Sequence, residues 1–335
     1  MHDLSKGRIL VTGGAGFIGS ALIWALNQRG LENILVCDLL GEGDKFKNLV
    51  PLRFNDYIEA DALSDAIDEA PRELDDVRTV FHLGANSATT ETNCRHLVQN
   101  NYEYTKVLAS WALERGSRFV YASSAATYGD GAQGMDDRRE DLHRLRPLNM
   151  YGYSKHLFDL YAQRCGVLGQ IVGLKYFNVF GPNEDHKGDM RSVVNKAYPQ
   201  IRDTGKVQLF KSYRPDFADG EQQRDFLYVK DAVAMTIFLA EHLKCGGLYN
   251  LGSGQAQTWK ALVEPIFAAL SKEPAIEFID MPDSLRAKYQ YHTCADISKL
   301  RADGYTAEVT TLADSVTDYV SNYLIPGRRL GDEPA

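Results

Sequence analysis

The sequence predicts an α/β fold, in which a doubly wound parallel sheet is joined to a smaller mixed α/β lobe that binds substrate. Short apolar strands alternate with helical patterns through the first half of the chain, which is typical of βαβ units. A glycine-rich turn lies at the first junction of strand and helix, and the alternation ends after Phe177. A chain of 335 residues is long enough to bury the core that such an assembly needs.

The first half contains the strands and helices of a Rossmann-type domain. We expect strands at Arg8–Thr12, Asn33–Asp38, Tyr57–Ala60, Thr79–Leu83, Ser117–Ser123 and Gln170–Phe177. The helical patterns between them cover Phe17–Arg29, Ser64–Glu69, Cys94–Arg115 and Tyr151–Cys165. The domain is therefore predicted over residues 1–177, with segments near 225–250 returning to it.

Shorter elements follow Phe177 and are mixed with irregular stretches that contain Gly and Pro. Strands are expected at Val207–Phe210, Phe226–Val229, Leu248–Leu251 and Ile276–Ile279, and helices at Met190–Asp203, Lys230–Leu243, Trp259–Leu270 and Thr311–Tyr323. We predict a substrate-binding lobe of residues 178–224 and 251–325, interleaved with the last strands of the sheet. Residues 326–335 are expected to form a flexible tail.

Charge and composition exclude several classes of partner. The net charge of −8 argues against nucleic acid or an anionic membrane as the main partner. No apolar run reaches the length of a membrane span, and we expect no signal peptide. Five scattered cysteines fit reduced thiols in the cytoplasm, and eight histidines show no metal-ligand spacing, so no metal is expected.

The turn Gly13-Gly-Ala-Gly16-Phe-Ile-Gly19 predicts a dinucleotide site at the first helix. Gly13 permits the tight turn, Gly16 allows close approach of a pyrophosphate, and Gly19 allows the helix to pack on the strand. The free N–H groups at the helix N-terminus then face the phosphates. Phe17 and Ile18 belong to the same predicted site.

An acid at the end of the second strand bears on the choice between NAD and NADP. Asp38 suits the hydroxyls of the adenosine ribose and favours NAD, because a carboxylate repels a 2′-phosphate. Lys45 and Lys47 follow in the next loop and could hold that phosphate if Asp38 turned aside. The residues alone leave this choice open. Further cofactor contacts are predicted after the fourth strand and on the long helix, at Leu83, Gly84, Ala85, Asn86, Ser87 and Asn100.

The chemical site is predicted from Ser124, which ends the fifth strand, and from the pair Tyr151 and Lys155. The carboxyl edge of an open α/β sheet is where ligands bind, so a hydroxyl there can donate to a substrate oxygen. Residues four apart on a helix share one face, and a nearby ammonium favours the phenolate form of tyrosine. Tyr151 can therefore move a proton while Lys155 supports it.

Together the glycine-rich turn, Ser124 and Tyr151-Gly-Tyr-Ser-Lys155 resemble the extended short-chain dehydrogenase/reductase family over nearly the whole chain. The resemblance implies a bound nicotinamide cofactor and a nucleotide-sugar substrate. A sugar 4,6-dehydratase would need carboxyl groups beside the serine. Ala125 and Ala126 stand there instead, which disfavours that branch. A 4-epimerase stays possible on the trio alone.

Longer segments are similar to the family of ADP-L-glycero-D-manno-heptose 6-epimerases. They are Ala122–Gly129, Pro147–Lys155, Tyr176–Met190, Arg224–Asp231 and Lys288–Gln290. This resemblance implies that Tyr151 and Lys187 act as two catalytic acid/base residues, that the cofactor is tightly bound NADP, with NAD as the alternative, and that the protein is a homo-oligomer. It also implies cofactor contacts at Leu39, Val179 and Lys187.

The substrate contacts are predicted from the same resemblance and from local charge. Asn178 leaves the sixth strand towards the sheet edge, and Arg224 suits bidentate contact with a diphosphate. The remaining expected contacts are Asp189, Lys196, Phe210, Lys211, Ser212, Tyr213 and Tyr289.

Several positions depart from the pattern of that family. Leu39 replaces a polar partner of the adenosine ribose, and Ala60 replaces a lysine. Asp189 and Lys196 replace a hydroxyl residue and a histidine in the substrate pocket, and residues 213–221 form an insertion. These departures leave open the choice between NADP and NAD and the exact sugar. The alternatives are another NAD(P)-dependent nucleotide-hexose 4-epimerase or reductase, and a non-catalytic NAD(P)-sensing protein.

Overall fold

The computed structural model describes residues 1–69, 74–286 and 289–332. Its main sheet has seven strands in the order β10-β6-β5-β4-β1-β2-β3, and every neighbouring pair is parallel. The strands are β1 (Arg8–Thr12), β2 (Ile34–Asp38), β3 (Asp56–Glu59), β4 (Val77–His82), β5 (Arg118–Ala122), β6 (Val172–Tyr176) and β10 (Gly247–Leu251). The strand order reverses between β1 and β4, which confirms the Rossmann-type doubly wound sheet.

Helices cover this sheet and connect its strands. They are α1 (Phe17–Asn27), α2 (Ala60–Glu69), α3 (Cys94–Leu97), α4 (Tyr104–Glu114), α5 (Met150–Arg164) and α7 (Val229–Glu241). The helix predicted over Cys94–Arg115 is interrupted by a π-helical segment at Val98–Glu103. Two apolar cores result, one on each face of the sheet, and residues such as Val11 and Leu10 point to opposite faces from one strand.

The second lobe contains the remaining elements. Its strands are β7 (Asn178–Phe180), β8 (Val207–Phe210), β9 (Gln223–Tyr228), β11 (Ala256–Thr258) and β12 (Ile276–Ile279). Its helices are α6 (Val193–Thr204), α8 (Trp259–Ala269), α9 (Asp283–Arg286), α10 (Ser298–Ala302) and α11 (Leu312–Tyr319). A three-stranded mixed sheet β11-β9-β7 and a parallel pair β12-β8 confirm the smaller mixed α/β lobe, whereas the exact domain boundaries stay predictions.

The predicted tail is packed where the structure describes it. Leu330 is fully buried, and its backbone N–H donates to Asn183 Oδ1 at 3.0 Å. This contact joins the described part of the tail to the second lobe, and the flexibility expected for residues 326–335 stays a prediction. Residues 333–335 lie outside the described ranges.

The described residues contain neither a helix suited to span a membrane nor a cluster suited to hold a metal ion. None of their helices is both long and apolar enough to cross a membrane. Their His, Cys, Asp and Glu side chains form no group of three or more that could hold a metal ion.

Candidate active site

A cavity of about 860 Å³ opens at the carboxyl edge of the main sheet and extends to the second lobe. Its walls include the turn after β1 and the residues that follow β4, β5 and β6. In an open parallel sheet this edge collects ligands where the strand order reverses, which is the position found here. The predicted cofactor and chemical residues therefore meet in one place.

The glycine-rich turn has no room for side chains at its two ends. A Cβ atom on Gly13 would lie 2.6 Å from the backbone nitrogen of Gly84, and Gly13 has a positive φ of 70°. A Cβ atom on Gly19 would lie 2.0 Å from the carbonyl oxygen of Gly13. Helix α1 begins here without a side-chain cap, so its first N–H groups are available to an anion. This cradle fits the pyrophosphate of a dinucleotide.

Asp38 is held firmly at the cavity wall. Its Oδ2 atom accepts from the backbone N–H of Ala15 at 2.8 Å, and its Oδ1 atom accepts from that of Leu39 at 2.7 Å. The Lys45 ammonium also donates to Oδ1. The carboxylate is thus engaged by three donors, and Lys45 brings a positive charge to the adenosine end of the cavity.

Ser124 and Tyr151 face each other across the junction of β5 and α5. Ser124 caps a 3₁₀ turn at Ala125–Tyr128, and its hydroxyl accepts from the N–H of Ala126 at 3.1 Å. Gly152 lets α5 approach this turn, because a Cβ atom there would lie 2.7 Å from the Ala126 carbonyl oxygen. Burial raises the pKa of Tyr151, and a hydrogen bond with Ser124 lowers it. The phenol is therefore placed beside the serine hydroxyl, as the sequence predicts.

Lys155 is 4% exposed and lines the same cavity. Burial lowers the pKa of its ammonium to about 8, while the Asp159 carboxylate one turn further along α5 works in the opposite direction. No described residue accepts a hydrogen bond from its Nζ atom, so the ammonium is available to a ligand and to Tyr151.

Lys187 reaches the cavity from a loop in the second lobe. Its ammonium lies 5.1 Å from the centre of the Phe17 ring at the start of α1. Burial lowers the pKa of Lys187, and the buried Glu184 carboxylate raises it. Glu184 fixes the loop by accepting from the N–H and the hydroxyl of Ser192. A second group able to transfer protons therefore lines the same space as Tyr151.

Other residues of the second lobe form a further part of the cavity wall. Arg224 is 6% exposed, and its guanidinium lies 5.0 Å from the centre of the Tyr289 ring. Asn178 at the start of β7 also lines the cavity. A cavity lined by a buried cation, a phenol and an amide is suited to a ligand that is both anionic and hydroxylated.

The structure brings most of the predicted site residues to this cavity. The cofactor and catalytic residues that line it are Gly13, Gly16, Phe17, Ile18, Gly19, Asp38, Lys45, Leu83, Gly84, Ala85, Asn86, Ser87, Ser124, Tyr151, Lys155, Val179 and Lys187. The substrate residues that line it are Asn178, Arg224 and Tyr289. Lys288, part of the segment that suggested the resemblance, lies outside the described residues.

The other predicted residues lie off the cavity wall. They are Leu39, Asn100, Asp189, Lys196, Phe210, Lys211, Ser212 and Tyr213. The Leu39 side chain is 49% exposed, and the Lys196 ammonium donates to the Asp189 carbonyl oxygen at 3.3 Å. The Lys211 ammonium and the Tyr213 hydroxyl both donate to the Asp280 carboxylate. The insertion is thus attached to the second lobe by its own polar contacts.

Asn100 does not face the cavity, and its neighbour Asn101 has a role that the sequence did not suggest. The Asn100 amide donates to the carbonyl oxygen of His96 at 2.9 Å on its own helix. Asn101 is fully buried, and its amide donates to Asn86 O at 2.9 Å and to Ser154 Oγ at 3.0 Å. The π-helical segment turns Asn101 inward, where it joins the loop after β4 to the helix of Tyr151.

Trp259 and His186 also line the cavity and were absent from the predicted set. The Trp259 indole N–H donates to the Tyr289 hydroxyl at 2.9 Å. Burial lowers the pKa of His186 to about 4, and Nδ1 of its ring lies 3.2 Å from Asn48 Nδ2. Trp259 is the first residue of α8, and the Thr258 side chain caps this helix. The local sequence thus marks where the helix begins but does not indicate that Trp259 lines the cavity.

The fold and this site define a nicotinamide-dependent enzyme of the short-chain dehydrogenase/reductase type. Residues 9–252 match the model of the NAD dependent epimerase/dehydratase family. The ADP-L-glycero-D-manno-heptose-6-epimerase of Nitratidesulfovibrio vulgaris strain DP4 is 51% identical over 94% of this chain and 97% of its own length. The enzyme of that name from Fusobacterium nucleatum is 45% identical over 94% of this chain and 98% of its own length.

Solved structures agree with these relatives. The Helicobacter pylori ADP-L-glycero-D-manno-heptose-6-epimerase has a TM-score of 0.79 and 28% identity, covering 96% of this chain and 98% of its own. The Thermus thermophilus UDP-glucose 4-epimerase, solved with NAD, has a TM-score of 0.73 and 26% identity, covering 94% and 98%. The chain belongs to the NAD dependent epimerase/dehydratase family and, within it, to the ADP-L-glycero-D-manno-heptose-6-epimerases.

Proposed function

We propose that this protein inverts carbon 6 of ADP-glycero-manno-heptose and supplies a heptose precursor of the lipopolysaccharide core. The relatives of that name support the substrate. The observation that carries the proposal is that Tyr151 and Lys187 line one cavity together with Ser124 and Lys155. Two proton-transfer groups in one cavity give each of the two stereochemical half-reactions its own proton partner, which suits an epimerase.

In the proposed reaction each of these four residues has a separate role. The nicotinamide, when bound, supplies the acceptor and donor of a hydride at carbon 6. Tyr151 takes the hydroxyl proton on one side, and Ser124 donates a hydrogen bond to the same oxygen. Lys155 favours the ionised form of Tyr151 through its positive charge. Lys187 exchanges the proton when the other face of the carbonyl carbon is presented.

We propose NADP as the cofactor, with NAD as the alternative. The charge of Lys45 beside Asp38 supports NADP, because the Asp38 carboxylate is already engaged by Ala15 and Leu39. The 2′-phosphate would then approach an ammonium. Gly13, Gly16, Gly19 and the residues after β4 would hold the rest of the dinucleotide.

We propose further that the protein acts in the cytoplasm as a homo-oligomer. The five cysteines are free, and Cys37 and Cys245 among them are buried, which suits a reducing compartment. Val107 on α4 and Tyr153 on α5 are both more than 40% exposed and offer an apolar surface to a second copy. Light scattering of the purified protein tests the assembly.

The decisive experiment begins from each of the two carbon-6 epimers of ADP-heptose separately. With no added cofactor, purified protein should bring both to the same equilibrium mixture, and mass spectrometry of the released cofactor should give the mass of NADP. Turnover of UDP-galactose with no turnover of ADP-heptose would make the protein a 4-epimerase. Bound cofactor without turnover of either sugar would make it a sensing protein.

A further inference from the structure

Arg224 on the cavity wall is a buried cation without an ionic partner among the described residues. Its side chain is 6% exposed, and its one protein hydrogen bond in these ranges goes from Nη1 to the carbonyl oxygen of Gln223 at 2.8 Å. A charge withdrawn from water is costly unless an opposite charge or hydrogen bonds compensate it. The remaining guanidinium N–H groups therefore call for an anionic ligand from the cavity that Arg224 lines.

Two aromatic rings hold this guanidinium. Its central carbon lies 5.0 Å from the centre of the Tyr289 ring and 5.8 Å from that of Trp259. Trp259 is itself fixed by an edge-to-face contact with Phe226, with ring centres 5.0 Å apart. Stacking on aromatic faces orients an arginine and leaves its N–H groups free for a ligand.

The hydrogen bond between Trp259 and Tyr289 determines whether the Tyr289 hydroxyl donates or accepts towards a ligand. An indole N–H only donates, so the Tyr289 oxygen must accept from Trp259 at 2.9 Å. The phenolic proton has to point elsewhere, and no described residue accepts it. Since Tyr289 lines the cavity, its proton is available to the same ligand as the guanidinium of Arg224.

We propose that Trp259 is a positioning residue for substrate binding, which orients Tyr289 as a donor and supports Arg224, so that both bind the diphosphate of a nucleotide sugar. The proposal rests on the proposed function for the class of substrate, a nucleoside diphosphate sugar. Trp259 thereby acts on substrate affinity and does not take part in proton transfer. Its contribution should appear in KM and not in kcat.

The test uses Trp259→Phe, which removes the N–H and keeps an aromatic ring, and Tyr289→Phe, which removes the hydroxyl. Titration calorimetry of the cofactor-containing protein with ADP should show about tenfold weaker binding for Tyr289→Phe, since a hydrogen bond to a charged group is lost. A similar loss is expected for Trp259→Phe, since the Tyr289 hydroxyl is then no longer held as a donor to the ligand. The double variant should lose little more affinity for ADP than either single variant does, because both substitutions disrupt the same hydrogen-bonded pair. The kcat and the cofactor content should be unchanged.

Trp111→Phe is the matched control. The Trp111 indole N–H is buried and has no hydrogen-bond partner in the described part of the chain, so the substitution removes no such bond. It should bind ADP as the wild type does. ADP should also quench tryptophan emission in the wild type and in Trp111→Phe, but not in Trp259→Phe.

Wild-type affinity of Trp259→Phe for ADP, or additive losses in the double variant, would overturn the proposal. Should Trp259→Phe fail to retain cofactor, Tyr289→Phe and the quenching of wild-type emission decide the question, and absence of both effects rejects it. The proposed function fails separately, when ADP binds as expected but neither epimer of ADP-heptose is turned over.

Discussion

Lys175 Nζ lies 3.0 Å from Asp159 Oδ2, and the two side chains are 1% and 0% exposed. Asp159 also accepts from the hydroxyl of Ser123 at 2.8 Å. The Lys175 ammonium donates to the hydroxyl of Thr127, which donates to the carbonyl oxygen of Ser124 at 2.8 Å. Since Asp159 follows Lys155 by one turn of α5, this pair joins the turn of Ser124 to the helix of Tyr151.

Asp159→Asn should therefore lower both stability and turnover. Breaking one side of a buried ion pair costs about 3–5 kcal/mol, because the other charge remains buried without compensation. Arg118→Met is the control, since Arg118 is buried too but donates to carbonyl oxygens at the end of α7, including that of Leu239. Urea denaturation should show a loss for both variants. Among the folded variants, a loss of kcat is expected for Asp159→Asn and not for Arg118→Met. Equal kcat values for the two variants would contradict the coupling between the Asp159–Lys175 pair and the active site.

Tyr151→Phe should remove most of the activity and leave the fold intact. In the proposed mechanism the phenol exchanges a proton with the sugar hydroxyl, and such a group contributes about 10²–10⁴-fold to the rate. Tyr151 is at the start of α5, and the loss of its hydroxyl leaves the Asn149 cap on Gly152 in place. The initial rate of epimerisation and the thermal melting curve are the measurements, and undiminished turnover would exclude Tyr151 from the reaction.

Lys187→Ala should retain the cofactor and lose epimerisation. In the proposed mechanism the ammonium is one of two proton-transfer groups, so its loss blocks the half-reaction that Tyr151 does not serve. Nicotinamide absorbance during a single turnover, started from each of the two epimers separately, would identify which half-reaction survives. Lys244→Ala, at an exposed position away from the cavity, is the control and should behave as wild type. Full activity of Lys187→Ala would refute the two-group mechanism.

Lys155 should give the reaction an alkaline limit. Burial lowers the pKa of its ammonium to about 8, so kcat should fall as pH rises beyond this value and the charge that favours the Tyr151 phenolate is lost. Between about 8 and 10.5 the unfolded state binds more protons than the native state, so this group alone makes the free energy of unfolding rise with pH. Activity should thus decline with rising pH over this range, while the contribution of Lys155 to the free energy of unfolding increases. Parallel decline of both across this window would contradict the assignment.

The sequence was sufficient to predict the main sheet and the side chains of Ser124, Tyr151 and Lys155 that meet at its carboxyl edge, because both depend on local patterns. Apolar alternation located β1 to β6, and the spacing of Tyr151 and Lys155 placed them on one helix face. Asn100 and Asn101 are adjacent and chemically identical, so only the π-helical geometry decides which one turns inward. The contact of Trp259 with Tyr289 joins residues 30 positions apart, and Leu330 is held by Asn183. Such contacts depend on tertiary packing between residues far apart in the chain, which no local pattern encodes.

Helix α5 approaches the Ser124 turn closely at Gly152. An added Cβ atom at Gly152 would lie 2.7 Å from the Ala126 carbonyl oxygen, which belongs to the backbone and cannot rotate away. Gly152→Ala should therefore push α5 from the turn, cost about 1–3 kcal/mol of stability, and separate Tyr151 from Ser124.

Gly169→Ala is the matched control for Gly152→Ala, because its added Cβ atom would have no neighbour within 4 Å among the described residues. Alanine there should keep kcat and leave stability equal or slightly higher, since it restricts the unfolded chain. For Gly152→Ala, kcat should fall more than the KM for the nucleotide sugar rises, because Arg224 and Tyr289 lie on the other lobe and are not displaced. A change confined to KM would mean that Gly152 does not set the distance between the two catalytic hydroxyls.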